Sequence, residues 1–113
     1  MNDRETSRAM AIRSLNDCFR QALHGGTVLF TAGIMALGPK LQARILAAVQ
    51  TFDAFEEAND PWGEHDFGAI DIDGERVFFK IEYYDLTRAM HSEDPTDPAK
   101  TERVMTIMLA SEY

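Results

Sequence analysis

Asp73-Gly74 stands between two runs in which apolar and polar residues alternate, and this leaves the middle of the chain one economical solution, a β-hairpin. A type I′ turn needs positive φ at both central positions, which Asp and Gly accept. Such a turn sets the register, placing Ile72 opposite Glu75, Asp71 opposite Arg76 and Ile70 opposite Val77. Successive strand side chains point to opposite faces, so Ile70, Ile72, Val77, Phe79, Ile81 and Tyr83 share one face. That face is the expected core side. Asp71, Arg76, Phe78, Lys80, Glu82 and Tyr84 share the other. Tyr83 then points inward and needs a polar group for its hydroxyl, while Tyr84 stands outside near Lys80 and Glu82 as a candidate contact residue.

The flanking segments are read in the same way. A helix is expected from Asp3 to about Leu23, with Ala11, Ile12, Leu15, Cys18, Phe19, Ala22 and Leu23 as its apolar face and Gly25-Gly26 as its stop. Thr27–Thr31 reads as a short strand, and Gly33 and Gly38 bound a loop. Pro39 suits a first helical position. The second helix is expected to run to about Ala58, burying Leu41, Ile45, Ala48, Val49, Phe52 and Phe55, until Asn59-Asp60-Pro61 stops it. From Asp85 to Lys100 the chain is polar and prolyl, a loop long enough to be functional or mobile. Residues 102–113 fit helix or strand. Alternation of Met105, Ile107 and Leu109 beside the hairpin favours a strand added to the sheet.

The fold expected is α+β: two helices on one face of a small, mainly antiparallel sheet of three or four strands, in one domain over residues 1–113. Its outer sheet face would offer Phe67, Phe78 and Tyr84 to a partner or to the long loop, which leaves homodimerisation open.

Charge is segregated. Of 19 acidic residues, nine lie between Ile45 and Glu75, a stretch with no Lys or Arg, and the whole chain carries −8. That balance argues against direct binding of nucleic acid or an anionic membrane, and toward a protein partner with a basic surface. A single cysteine, Cys18, excludes an intrachain disulfide and reads as a buried structural thiol. The charged first residues do not resemble a signal peptide, and no apolar run approaches the ~18 residues a membrane span needs, so a cytoplasmic protein is expected.

Glu64-His65-Asp66 is the densest group of acid, base or ligand side chains. On an extended chain Glu64 and Asp66 share a face and His65 opposes it, so the three do not converge on one ion. A polar turn is the favoured reading, and neither a metal nor a cofactor is expected. Asp71-Ile72-Asp73-Gly74-Glu75 lacks the spacing of a calcium loop and is explained as the hairpin tip. His24 suits a helix C-terminus, and His91 has no evident partner. Trp62, between Pro61 and Gly63, either lids the core or stands out as an anchor. The small size of the domain favours the lid. No phosphate-binding glycine loop, nucleophile elbow or Cys-x-x-Cys is present.

Several strings together resemble the bacterial domain-of-unknown-function family 3768. They are Leu15-Asn16-Asp17-x-Phe19-Arg20, Thr31-x-Gly33, Asn59-Asp60-Pro61-Trp62-Gly63-Glu64-His65-Asp66-Phe67-Gly68, Lys80-Ile81-Glu82-Tyr83-Tyr84-Asp85 and the run from Arg103 to Tyr113. Ile34 and Glu82 depart from it, where Val and Asp would be expected. The resemblance implies a small stand-alone bacterial protein often carried with plasmid or integrated-element genes, and it brings no activity or functional residues.

The function expected is therefore a non-catalytic acidic binding module. Its candidate contacts are Asp53, Glu56, Glu57, Asp60, Trp62, Glu64, Asp66 and Tyr84. In its sharpest form it mimics nucleic-acid charge to inhibit a restriction or CRISPR-type defence complex, with Asp53, Glu56, Glu57 and Asp60 along the solvent side of the second helix's end. The alternatives are a small metal-dependent or hydrolytic enzyme centred on Glu64, His65 and Asp66, and a structural subunit or homodimer.

Overall fold

Asp73 (φ 50°) and Gly74 (φ 80°) both adopt the left-handed conformation of a type I′ turn, and the pairings Ile70–Val77, Asp71–Arg76 and Ile72–Glu75 follow. The computed structural model describes residues 3–113. In chain order the elements are α1 (Asp3–Ala22), β1 (Thr27–Phe30), α2 (Ala32–Met35), α3 (Pro39–Gln50), β2 (Phe67–Ile72), β3 (Glu75–Tyr84) and β4 (Glu102–Leu109), then a 3-10 turn, Ala110–Glu112. The protein is α+β. Its four strands are ordered β1-β4-β3-β2, with β4 antiparallel to β3 but parallel to β1, so the sheet is mixed.

The hairpin face expected to be inside is inside. Val77, Phe79, Ile81 and Tyr83 join Met105 and Ile107 of β4, and Ile12, Phe19, Ile34, Ile45 and Val49 of the helices close over them. Strand β4 lies between two neighbours, and Val104 and Met108 on its other face are only 7% exposed. A strand buried on both faces loses the polar alternation of a half-exposed one, which is why 102–109 also fitted a helix.

Four local expectations are corrected. The buried stripe of α1 is Ile12, Asn16, Phe19 and Arg20, a rotation toward two polar residues that leaves Cys18 exposed rather than buried. The helix ends at Ala22, and Leu23 (φ 55°) takes the left-handed position itself, ahead of Gly25. Between Gly33 and Gly38 the chain forms the single turn of α2, not a bare loop, and Glu112 secures its start. The Thr31 hydroxyl donates to Glu112 Oε1 (2.6 Å) and the Gly33 N–H to Oε2 (3.0 Å). Helix α3 stops at Gln50, eight residues before Ala58. There the Thr51 hydroxyl bonds back to the Ala47 carbonyl (3.0 Å), a contact that favours helix ends. Phe52 then turns edge-on to Phe79, with centroids 5.2 Å apart. Packing of Phe52 and Phe55 on the sheet replaces two further helical turns.

The polar segment after Tyr84 is built from its own hydrogen bonds. Asp85 Oδ1 accepts from the N–H and hydroxyl of Thr87, Asp94 Oδ1 does the same for Thr96, and Arg103 donates to the Pro95 carbonyl. His91, for which the sequence suggested no partner, forms a β-bridge with Tyr84.

Candidate functional site

Asp60-Pro61-Trp62-Gly63 is a tight turn whose residue types suit their places: Asp first, Pro second, Gly last. The Gly63 N–H donates to the Asp60 carbonyl (3.1 Å), and the Asp60 N–H donates to the Glu56 carbonyl (2.8 Å). The Asp60 side chain is buried and its Oδ1 accepts the His65 N–H (3.1 Å), closing the turn from inside. Asp60 thus belongs to the frame of the site rather than to an exposed acidic row. Trp62, at the corner, is 67% exposed. It is not a lid.

His65 follows with φ 56°, a conformation a non-glycine residue adopts only when its surroundings hold it. Its ring lies flat on Phe55, with centroids 3.8 Å apart and planes within 1°. Its Nδ1 meets both Asp17 oxygens, at 2.9 and 3.2 Å, and Asp17 also receives Arg20 Nη1 at 2.8 Å. Arg20 donates onward to the carbonyls of Val49 and Phe52, so α1, α3 and the tryptophan turn are tied through one guanidinium.

Glu64 points elsewhere. Its Oε1 accepts the Tyr83 hydroxyl proton (2.9 Å), and the same hydroxyl accepts from Asn16 Nδ2 (2.8 Å). Asn16 Nδ2 also donates to the Glu64 carbonyl (3.0 Å), and Asn16 Oδ1 accepts from Arg103 Nε (2.9 Å). Arg103 lies against the Tyr83 ring, its guanidinium carbon 5.2 Å from the centroid. Burial pushes the Tyr83 hydroxyl pKa well above that of a free phenol, and burial lowers that of Arg103. Asp66 is the third member. Burial first and the Glu64 charge second raise its carboxyl from 3.8 to about 6. Glu64 and His65 therefore serve different partners, and neither turns to Asp66. Among the described residues no three His, Cys, Asp or Glu side chains are grouped as a metal site would need.

Asn16, Arg20 and Arg103 were absent from the sequence-based set of candidates. The spacing of Ile12, Asn16, Phe19 and Arg20 was the available signal, because those positions fall on one helical face as regularly as the apolar set does. Nothing local marks Arg103, whose partner within the network, Asn16, lies 87 residues away in the chain.

The remaining candidates are dispersed. Asp53, Glu56 and Glu57 are exposed, but on the irregular segment after α3 rather than on a helix. Asp71 and Asp73 pair with Arg76 and Arg44. Tyr84 donates its hydroxyl to Glu82 Oε2 (3.0 Å), which raises its pKa. Two clefts border Trp62. One, of about 330 Å³, lies between α1 and the turn and is lined by Glu5, Arg8, Ala9 and Glu64. The other, of about 550 Å³, opens on the outer sheet face.

These features define a class: an α+β domain with helices on one sheet face, a protruding aromatic turn, and a buried polar network holding that turn in place. Within that class, the chain belongs to the family described as protein of unknown function (DUF3768), which matches residues 30–112. The match includes the tryptophan turn, the hairpin and β4, and begins after the α1 residues that complete the network. No curated protein and no solved structure matches the chain.

Proposed function

We propose that the chain is a non-catalytic protein-binding module that engages a basic partner surface through Trp62 and the neighbouring carboxylates of Asp53, Glu56 and Glu57. The observation that carries this reading is the 67% exposure of Trp62 on a turn fixed by Asp60 and His65. Tryptophan is a preferred energetic anchor of interfaces, and leaving one in water forgoes roughly 2–3 kcal/mol of burial. A turn whose backbone is already held in position loses little further freedom on binding. The three carboxylates have no ion-pair partner among the described residues, so a basic partner can pair with them.

A nucleic-acid-binding protein, such as a restriction or RNA-guided defence complex, is a partner class this charge suits. It would be met by the exposed carboxylates of the segment that leads into the aromatic turn. A continuous phosphate-like row has no geometric support, because Asp60, Glu64, Asp71 and Asp73 are engaged within the fold.

A second reading, a small hydrolytic enzyme, draws on Asp66, whose carboxyl at about 6 suits acid–base work near neutrality. Glu64 turns to Tyr83 and His65 to Asp17, so neither joins Asp66 in an acid–base pair.

The test is affinity capture from the native host with the wild-type protein, Trp62→Ala and the double variant Glu56→Gln/Glu57→Gln as baits. A partner held by the wild type should be lost with Trp62→Ala, for which about 2 kcal/mol or more of binding energy is expected to disappear. It should weaken with the double variant and with added salt. Equal capture by all three baits would remove this function.

A further inference from the structure

The outer sheet face carries a groove of about 550 Å³. Phe67 of β2 and Phe78 of β3 make its aromatic floor, with ring centroids 5.0 Å apart. Tyr113 stands edge-on to both, at 5.9 and 5.7 Å, and Trp62 borders the groove from the turn. Two cations sit among these rings. Lys80 Nζ is 5.6 Å from the Tyr113 centroid and makes no ion pair with a carboxylate among the described residues. The Arg76 guanidinium lies 5.9 Å from the Phe78 centroid and shares the exposed Asp71 carboxylate. In a chain of net charge −8, this concavity gathers two cations with its rings, together with the Asp66 carboxylate.

We propose that this groove binds a small planar aromatic anion, its ring against Phe67 and Phe78 and its acid group toward Lys80 and Arg76. The volume falls within the range of small-ligand sites. The aromatic floor favours a ring over a hydrated inorganic anion, which would lose water there without replacement. The cations favour an acid over a neutral ring. A polyanionic strand is disfavoured by the chain's net charge of −8, so the ligand is a monomer. Aromatic carboxylates and mononucleotides share this chemistry. Trp62 borders this groove as well as the surface proposed for the basic partner, but the ligand's contacts are Phe67, Phe78, Lys80 and Arg76, so its binding is tested on the isolated chain, without that partner.

Asp66 borders the same groove. The charged and titratable groups facing it are Glu64 and Asp60 from its own loop and Lys80 from β3. Across an adjoining groove stand Glu82, Tyr83, Tyr84 and His91. Protonating Asp66 removes a negative charge beside Lys80, so at a fixed charge on the ligand, binding should be tighter at about pH 5 than at about pH 7.5.

The experiment is titration of the ¹⁵N-labelled full chain with indole-3-acetate, AMP, indole and ribose 5-phosphate. At least one of the two ring-bearing acids should shift the amides of Phe67, Ala69, Phe78 and Lys80, and indole and ribose 5-phosphate should bind more weakly. Which acid binds better distinguishes an aromatic carboxylate from a nucleotide ligand. Lys80→Gln and Arg76→Gln, each with the dispersed spectrum of the folded chain, should weaken binding about threefold or more apiece. Asp66→Asn should tighten it at about pH 7.5 and flatten the pH dependence, leaving the part due to the ligand's own acid group. Three results would each overturn the proposal. They are no shift of these amides by either acid, indole binding as tightly as indole-3-acetate, and binding that survives loss of both cations.

Discussion

Tyr83 meets a strict demand, since its buried hydroxyl both accepts from Asn16 and donates to Glu64. Replacing it with Phe leaves Asn16 and Glu64 each short of a partner inside the protein. Tyr83→Phe should cost about 1–3 kcal/mol in urea unfolding, more than the loss of one solvent-exposed hydrogen bond. The inward direction of Tyr83 was legible from the Asp73-Gly74 register. Its partners were not, because Asn16 lies 67 residues away on a helix whose buried face includes polar residues. Asp66 offers a second test. Its carboxyl is raised from 3.8 in the unfolded chain to about 6 in the folded one, so folding favours the neutral form. The resulting penalty is absent below about pH 3.8, grows as pH rises, and is full above about pH 6. With solvent screening of this part-exposed group, Asp66→Asn should stabilise the protein by about 1 kcal/mol at neutral pH. The advantage should shrink toward zero near pH 3.8; unfolding curves showing the same advantage at both pH values would contradict the burial argument.

Strand β2 shows how closely the elements approach. A Cβ added at Gly68 would clash with the Phe79 ring and come within 2.7 Å of Phe52 Cε1. Gly68→Ala should therefore destabilise the protein by about 1–3 kcal/mol, read as a lowered Tm, because two packed rings must shift together. The hairpin could be placed residue by residue from the sequence, since its register depends on a two-residue turn and a local alternation. Helix α3 was overextended because Phe52 and Phe55 continue the helical spacing of Ile45 and Val49. Their real constraint is contact with Phe79 and His65 across the chain, which no local pattern carries. The parallel pairing of β1 with β4 was hidden for the same reason.

For the molecule as a whole, the acidic stretch that dominates the sequence divides on folding. Asp60 and Glu64 are drawn into the frame of the site, Asp71 and Asp73 find arginines, and Asp53, Glu56 and Glu57 stay exposed on the same segment as Trp62. Composition located the acids but could not sort them, because the sorting depends on which loops meet α1. The proposed binding role requires the partner to bury this tryptophan. Trp62 is the chain's one tryptophan, so biosynthetic labelling with 5-fluorotryptophan places a single ¹⁹F nucleus at the anchor. In the isolated protein that resonance should be sharp and show the full solvent isotope shift between H₂O and D₂O. Adding the unlabelled partner recovered by affinity capture should move the resonance and remove the isotope shift. A resonance that keeps its position and its solvent response in the assembled complex would contradict the account.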